Sequence, residues 1–255
     1  MNLTVLIPVH NTPAHHLLEA VRCITEQNDG GDHRIILIDD ASTRDDTLWA
    51  LSMLSENHDV HRLKWNSGIS GALNFGHSLV DTEFVAHMDA DDICHPSRFS
   101  VMLEYLMDHP DTDVLGCQLF SFWDDDGSHT PYFITNHPEH PVPNSSRREL
   151  MHWLVNHATV IIRQSAFLES GGYAQELWRA QDLDLWKRMH EAGATFANVP
   201  ECLYGWRRYR ASSQSRSFPF SAPSAPEPLS DNEREISETE SQPEPSDPDT
   251  AHADA

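Results

Sequence analysis

The sequence predicts an α/β fold, a mostly parallel sheet with helices on both faces, followed by a disordered acidic tail. Three observations carry this expectation. Apolar runs of strand length alternate with segments whose apolar residues recur at helical spacing. Polar, turn-forming loops follow each run, and after about residue 217 the composition changes abruptly.

The first run, LTVLIPV (3–9), is continuously apolar, as strands covered on both faces are. Thr12 then offers a helix cap and Pro13 a first helical residue, before Leu17, Val21 and Ile24 recur at helical spacing. RIILID (34–39) reads as a second buried strand, and Leu48, Leu51 and Leu54 mark the helix after it. VHRLKW supplies a third strand, GISGALNFGHSLV a helix, and EFVAHM a fourth strand. Pro96 opens another helix, whose face carries Phe99, Met102, Leu103 and Leu106. The second half is less regular: DVLGCQLFSFW and ATVIIR read as strands, SSRRELMHWLV and QDLDLWKRMHEAG as helices, with Gly193 as the stop of the last. In parallel sheets ligands bind outside the carboxyl ends of the strands. HNTP, DDAS, WNSG and DADD all fall there, so four polar loops share one rim.

Residues 1–217 therefore form the folded body, and 218–255 a tail rich in Pro, Ser and acid that cannot bury enough apolar surface to offset its ordering entropy. The tail holds ten acids and one arginine, so about nine of the 23 net negative charges belong to it and the body is acidic in its own right. An acidic body without a Lys/Arg run argues against nucleic-acid binding and against a polybasic membrane anchor. No apolar stretch reaches bilayer length, and Met1 is followed directly by a strand-like run, so no transmembrane segment is expected and the location expected is the cytosol. Cys23, Cys94, Cys117 and Cys202 are far apart in sequence with no C-x-x-C pair. Reduced, mostly buried thiols are expected.

HMDADDICHP (87–96) crowds Asp89, Asp91 and Asp92 behind an apolar run. If the strand continues through them, Asp89 and Asp91 leave the same face and repel each other unless a cation sits between them. Hard oxygen donors of this kind suit Mg²⁺ or Mn²⁺. The alternative is an acidic turn that caps the next helix.

VLIPVHN, ILIDDAST, NSGISGALNFG, DADD, GGYAQELWRAQDLDLW and LYGWRRY, in this order and at these spacings, resemble the family 2 glycosyltransferases, which have the Rossmann-like GT-A fold. The resemblance covers about residues 3–216. It implies transfer of a sugar from a nucleotide-diphosphate donor, a UDP-hexose above all, to an acceptor hydroxyl with inversion at the anomeric carbon. Carried over residue by residue, Pro8, Val9 and Asn11 line the nucleotide pocket, and Asp40 contacts the uracil with Asp39 beside it. Asp91 coordinates Mn²⁺ or Mg²⁺, and Asp89 contacts ribose or the metal shell. Asp182 is the general base that the acceptor alcohol needs. The family's Glu-Asp pair reads Gln181-Asp182 here, a departure that bears on acceptor handling. Trp206-Arg207 matches the pair that closes over the donor, with Arg207 near the diphosphate. Asp92 caps the helix near Pro96 or supports the site from behind, and His10, His87 and His95 near the rim tune pKa values. The resemblance also implies a carbohydrate or lipid-linked acceptor, a role in cell-surface polysaccharide or glycoconjugate synthesis, and a cytoplasmic enzyme that can sit peripherally at the inner face of the membrane.

Each residue also has a plainer reading. Asp39 and Asp40 can cap a helix, Asp182 or Asp184 can decorate an exposed first turn, and Arg207, Arg208 and Arg210 can be a solvated basic strand end. Two other functions share the pattern. A nucleotidyltransferase would normally open with a Gly-rich, basic loop after the first strand, which PVHNTP lacks. A degenerate domain that only binds nucleotide or carbohydrate would have no need of Asp89, Asp91 and Asp182 together.

Overall fold

The computed structural model describes residues 3–31, 33–124, 131–140, 155–177 and 180–209. The expected tail (218–255) and the boundary before it lie outside the described residues. So does the helix expected over SSRRELMHWLV, apart from Val155.

Strands β1 (Leu3–Val9), β2 (Arg34–Asp39), β3 (Asp59–Arg62) and β4 (Phe84–His87) alternate with helices α1 (Ala14–Thr25), α2 (Asp45–Leu54) and α3 (Gly68–Ser78), as the periodicity predicts. Then follow β5 (Ile93–Cys94), α4 (Arg98–Asp108), β6 (Val114–Trp123), β7 (Pro131–Ile134), a 3₁₀ turn (His157–Thr159) and β8 (Ile161–Arg163). The described chain ends with α5 (Gln164–Glu169), α6 (Gln181–Glu191) and β9 (Phe196–Arg208).

Among the described residues the sheet has nine strands in the order β3-β2-β1-β4-β8-β6-β9-β5, with β7 beside β6. The first four are mutually parallel. β8 and β6 then enter antiparallel, β9 runs parallel to β6, and β5 and β7 are again antiparallel to their neighbours. The sheet is therefore mixed, and the expectation of a mostly parallel sheet is met in part: parallel pairing holds for the first four strands and for β6 with β9, and fails at β8, β5 and β7. The reason lies in the connections: parallel neighbours need a helical crossover, and the second half lacks the strict strand-helix alternation that supplies one.

Alternation along β1 explains the two cores. Val5, Ile7 and Val9 face α1, α2 and α4, packing on Leu17, Val21, Leu51, Phe99 and Met102. Leu6 faces the other way, toward Leu73 of α3, Phe167 of α5 and Trp186 and Met189 of α6. Helix starts deviate from the expected caps. Neither Thr12 nor Asp92 caps a helix; α1 begins at Ala14, whose N–H donates to Asp46 Oδ2 at 3.2 Å, and α4 begins at Arg98 without a side-chain cap. Gly193 does follow the end of α6, at φ +97°, a conformation open to glycine.

Candidate functional site

β1 has β2 on one side and β4 on the other, so the chain leaves β1 and β4 at a topological switch point, where open α/β sheets hold ligands. A cavity of about 240 Å³ lies there. Pro8, Val9 and His10 line it from the end of β1, Asp89, Ala90 and Asp91 from the loop after β4, with Asp40, Ile69 and Ala72 between. Six of the residues singled out in the sequence, Pro8, Val9, His10, Asp40, Asp89 and Asp91, thus line one cavity. Asn11, Asp39, Arg207 and Asp182 are not among its lining residues.

Asp39 and Asp40 are both buried, and each has protein partners. Asp39 accepts the Ser42 N–H at 2.8 Å and the Arg62 guanidinium at 2.6 Å, which fixes the loop after β2 to β3. Asp40 accepts the Ser67 N–H at 2.7 Å and hydroxyl at 2.9 Å, and so holds the residue just before α3. Asn11 lies behind the cavity wall, its Oδ1 taking the N–H groups of Thr43 and Arg44 at 2.7 and 2.9 Å ahead of α2. Non-glycine residues with positive φ are uncommon and store strain. Among the described residues they are Asn11, Ala41 and Ala180, each in a loop that carries a singled-out residue.

The acidic cluster is a turn, not a strand continuation. β4 stops at His87, and the Asp92 N–H returns to the Asp89 carbonyl at 3.3 Å. The same-face reading of Asp89 and Asp91 is therefore replaced by a turn that presents both to the cavity. Asp92, 1% exposed, points the other way. It accepts the Tyr204 hydroxyl at 2.9 Å and the Arg207 N–H at 2.8 Å, while the Tyr204 oxygen takes the Asp89 N–H at 3.1 Å. Strand β9 thereby clamps the turn from behind. The Arg207 guanidinium is itself buried: Nε donates to the Asp91 carbonyl at 2.5 Å, Nη2 pairs with Glu19 at 2.5 Å, and Nη1 pairs with Asp124. The sequence reading sends Arg207 to the diphosphate, whereas here its fork is engaged by carboxylates and the turn's own backbone.

Burial raises the pKa of Asp89, and the Asp91 charge adds to the rise against a lowering by His157. Burial raises Asp91 as well, opposed by His16, Arg207 and Tyr209. Asp92 is pushed well up, by burial and then by its two neighbours. Asp89 and Asp91 are each partly exposed, and two neighbouring carboxylates that desolvation disfavours as anions are a donor set that a hard divalent cation would stabilise. Asp89 and Asp91 thus fit Mg²⁺ or Mn²⁺. Among the described residues, His15, His16 and Asp124 form another group that could hold an ion, their ligand atoms lying within 4.8 Å of one another. His16 Nε2 stands 2.8 Å from Asp124, and burial followed by Arg207 lowers its pKa against the raising effect of Asp124.

Asp182 sits in the first turn of α6, partly exposed, directly after the left-handed Ala180 and Gln181. Asp184 is turned to Arg188 at 2.8 Å. Tyr173 links Asp182 to the acidic turn electrostatically: burial drives its pKa well up, and the charges of Asp182 and then Asp89 raise it further. Its hydroxyl meets His157 Nε2 at 2.8 Å, and its backbone is gripped at N and O by the Asn74 side-chain amide, both at 2.8 Å. Gly172 before it, at φ +70°, has no room for a Cβ, which would meet Asn74 Oδ1 at 2.7 Å.

Several of these residues escape sequence reasoning. Tyr173 and Tyr204 lie inside GGYAQELWRAQDLDLW and LYGWRRY but are not singled out there, and His157 lies in no motif. The histidine that lowers Asp89 is His157, while His87 is buried against His77 at 3.0 Å and His95 pairs with Ser97. His10 does lie on the rim, with Nδ1 2.7 Å from the Asp40 carbonyl oxygen.

An open α/β sheet with a cavity lined by acidic residues at its switch point defines a ligand-binding class of fold, and comparison with known proteins narrows it. Residues 4–169 match the model of glycosyl transferase family 2, and the chain belongs to that family. The amylovoran biosynthesis glycosyltransferase AmsE of Erwinia amylovora is 31% identical over 143 residues, 55% of this chain and 51% of that protein. The pre-mycofactocin glycosyltransferase of Mycobacterium tuberculosis is 26% identical over 214 residues, 79% of this chain and 42% of that protein. The chain thus spans about half the length of these relatives. Residues 1–349 of S. aureus TarS, solved in complex with UDP-GlcNAc, superpose with a TM-score of 0.67 at 19% identity, covering 83% of this chain and 60% of that one. That likeness is one of fold, GT-A. Among the described residues no helix is long and apolar enough to cross a membrane.

Proposed function

We propose that the protein is an inverting glycosyltransferase that moves a sugar, a hexose for preference, from a UDP-sugar donor to an acceptor hydroxyl. The observation that carries this reading is the convergence of Pro8, Val9, Asp40, Asp89 and Asp91 on one cavity at the switch point of a family 2 fold. The complex of TarS with UDP-GlcNAc supports the choice of uridine among nucleotides.

In this reading Pro8, Val9 and Asp40 receive the base and ribose, and Asp89 and Asp91 face the diphosphate. Mn²⁺ or Mg²⁺, bound by these two carboxylates, would neutralise charge on the departing diphosphate. Asp182 takes the acceptor's hydroxyl proton as the acceptor oxygen bonds to the anomeric carbon. The bond from that carbon to the phosphate oxygen breaks on the opposite face, and the configuration inverts. Arg207 acts on the turn's shape through the Asp91 carbonyl. The acceptor is a carbohydrate or a lipid-linked one, in cell-surface polysaccharide or glycoconjugate synthesis, and the enzyme works in the cytoplasm or against the inner face of the membrane.

A panel of UDP-sugars incubated with Mn²⁺ tests this by release of UDP, with EDTA as the control. Metal-dependent release from one donor is the expected result. Binding without release from any donor, whatever acceptor is supplied, would favour the degenerate binding module, and pyrophosphate exchange with a nucleoside triphosphate would favour the nucleotidyltransferase.

A further inference from the structure

Cys23 and Cys94, separated by 71 positions in sequence, bring their sulfur atoms to 3.3 Å. Cys23 lies in α1, and Cys94 lies in β5, which directly follows the acidic turn. The contact is held from several sides. The Cys94 N–H donates to Cys23 Sγ at 3.2 Å. Gln27 Nε2 donates to the carbonyls of Cys23 at 2.8 Å and His95 at 2.9 Å, while its Oε1 accepts the Phe99 N–H at 3.0 Å. One glutamine thus laces the end of α1 to the segment carrying Cys94. Cys23 is partly exposed, and Cys94 is 8% exposed.

We propose that Cys23 and Cys94 are a latent disulfide, a modification site that closes when a small-molecule disulfide such as oxidised glutathione reaches the folded protein. An S–S bond is about 2.0 Å long, so closure needs little more than 1 Å of further approach. The exchange runs in two steps. A protein thiolate attacks the glutathione disulfide, its S–S bond breaks, and one glutathione thiolate leaves. The second cysteine, as thiolate, attacks the mixed disulfide and expels the other glutathione. In all, two protein thiols lose two protons and two electrons, and one glutathione disulfide becomes two thiols. Cys23 is the more exposed sulfur and the one that the glutathione disulfide reaches first, and the charge of Arg98 favours the thiolate form of both cysteines. Cys94 pairs with Tyr204, the residue that clamps Asp89 and Asp92, so closure ties α1 to the strand behind the acidic turn. The site does not depend on what occupies the cavity.

The full chain, folded and treated with oxidised glutathione, is digested without reductant and mapped by mass spectrometry. A peptide joining Cys23 to Cys94 is expected, absent in Cys23→Ser and in Cys94→Ser. The urea midpoint of the oxidised wild type should rise by about 1 M and fall back when dithiothreitol is added, because the bond restricts the unfolded chain. Free thiols or separate glutathione adducts at these two positions, or a link that forms only after urea unfolds the chain, would overturn the proposal.

Discussion

The two flanks of the cavity are built at different ranges. On the β2 side, Asp39, Asp40 and Asn11 meet partners from neighbouring loops of the first strand-helix units: Ser42, Ser67, Thr43 and Arg44. On the β4 side, Asp92 waits for Tyr204 and Arg207, which arrive 112 and 115 positions later. Asp182 likewise comes from α6, far along the chain. The first flank is complete once the parallel half has folded, whereas the second, which carries Asp89 and Asp91, is complete only when β9 is laid down. Charge is therefore gathered where the fold finishes last in sequence.

Substitutions that separate the flanks sharpen this contrast. The largest effect is expected at Asp182, from the late half of the chain: Asp182→Asn keeps the shape and removes the proposed proton acceptor, so transfer should fall by about 10²–10⁴-fold while UDP binding is kept. Comparison of initial rates with UDP affinity checks it, and near-normal transfer would move the base to Asp184.

Next comes the buried histidine pair of His77 and His87. His77 is buried against His87 and Phe167, and burial lowers its pKa from 6.5 to about 4. The unfolded chain therefore takes up the proton first, so this group's contribution is whole above about pH 6.5 and is lost as the pH falls toward about 4. It amounts to about 3 kcal/mol at most. Urea midpoints at pH 7 and pH 5 should drop more steeply in the wild type than in His77→Gln; parallel profiles would place the acid sensitivity elsewhere.

A smaller loss is expected for Tyr204→Phe, which strips the Asp89 N–H and one Asp92 oxygen of their shared partner. Burial of those unpaired groups should cost about 1–3 kcal/mol and weaken Mn²⁺ binding, with the β2 flank unaffected. Calorimetric titration of Mn²⁺ beside urea unfolding would detect both, and unchanged values would show that β9 does not hold the turn. The least effect is expected from ending the chain at Ser217. Melting temperature and donor turnover should hardly change, and a large loss of stability would show that the tail packs on the body.

Much of the early flank is legible in the sequence, because strand runs, helical spacing and rim loops are all local signals. The alternation from LTVLIPV to EFVAHM predicts β1 to β4 and their helices in order, and three of the four loops it leaves polar, HNTP, DDAS and DADD, line the cavity. Reading Asp89 and Asp91 as strand residues overextends β4, since period-two spacing says nothing about where a strand ends. The mixed second half is hidden because antiparallel insertion of β8 depends on long-range pairing, not on local periodicity. Arg207 looks like a free cation in GWRRYR, and only the fold reveals that Glu19 and Asp124 converge on it. The contact of Cys23 with Cys94 is invisible for the same reason.

The central claim is that Asp91, through an ion, anchors a nucleotide in the cavity. Titration of UDP into the wild type and Asp91→Ala, each with Mn²⁺ and again with EDTA, tests it most directly. The side chain of Asp91 is partly exposed and disfavoured as an anion by desolvation, and its carbonyl bond to Arg207 survives the substitution, so the variant should keep its urea midpoint. UDP affinity is expected to fall at least about tenfold both in the variant and on chelation, as loss of a metal ligand does. Equal UDP affinity in both proteins, with or without the chelator, would contradict the claim.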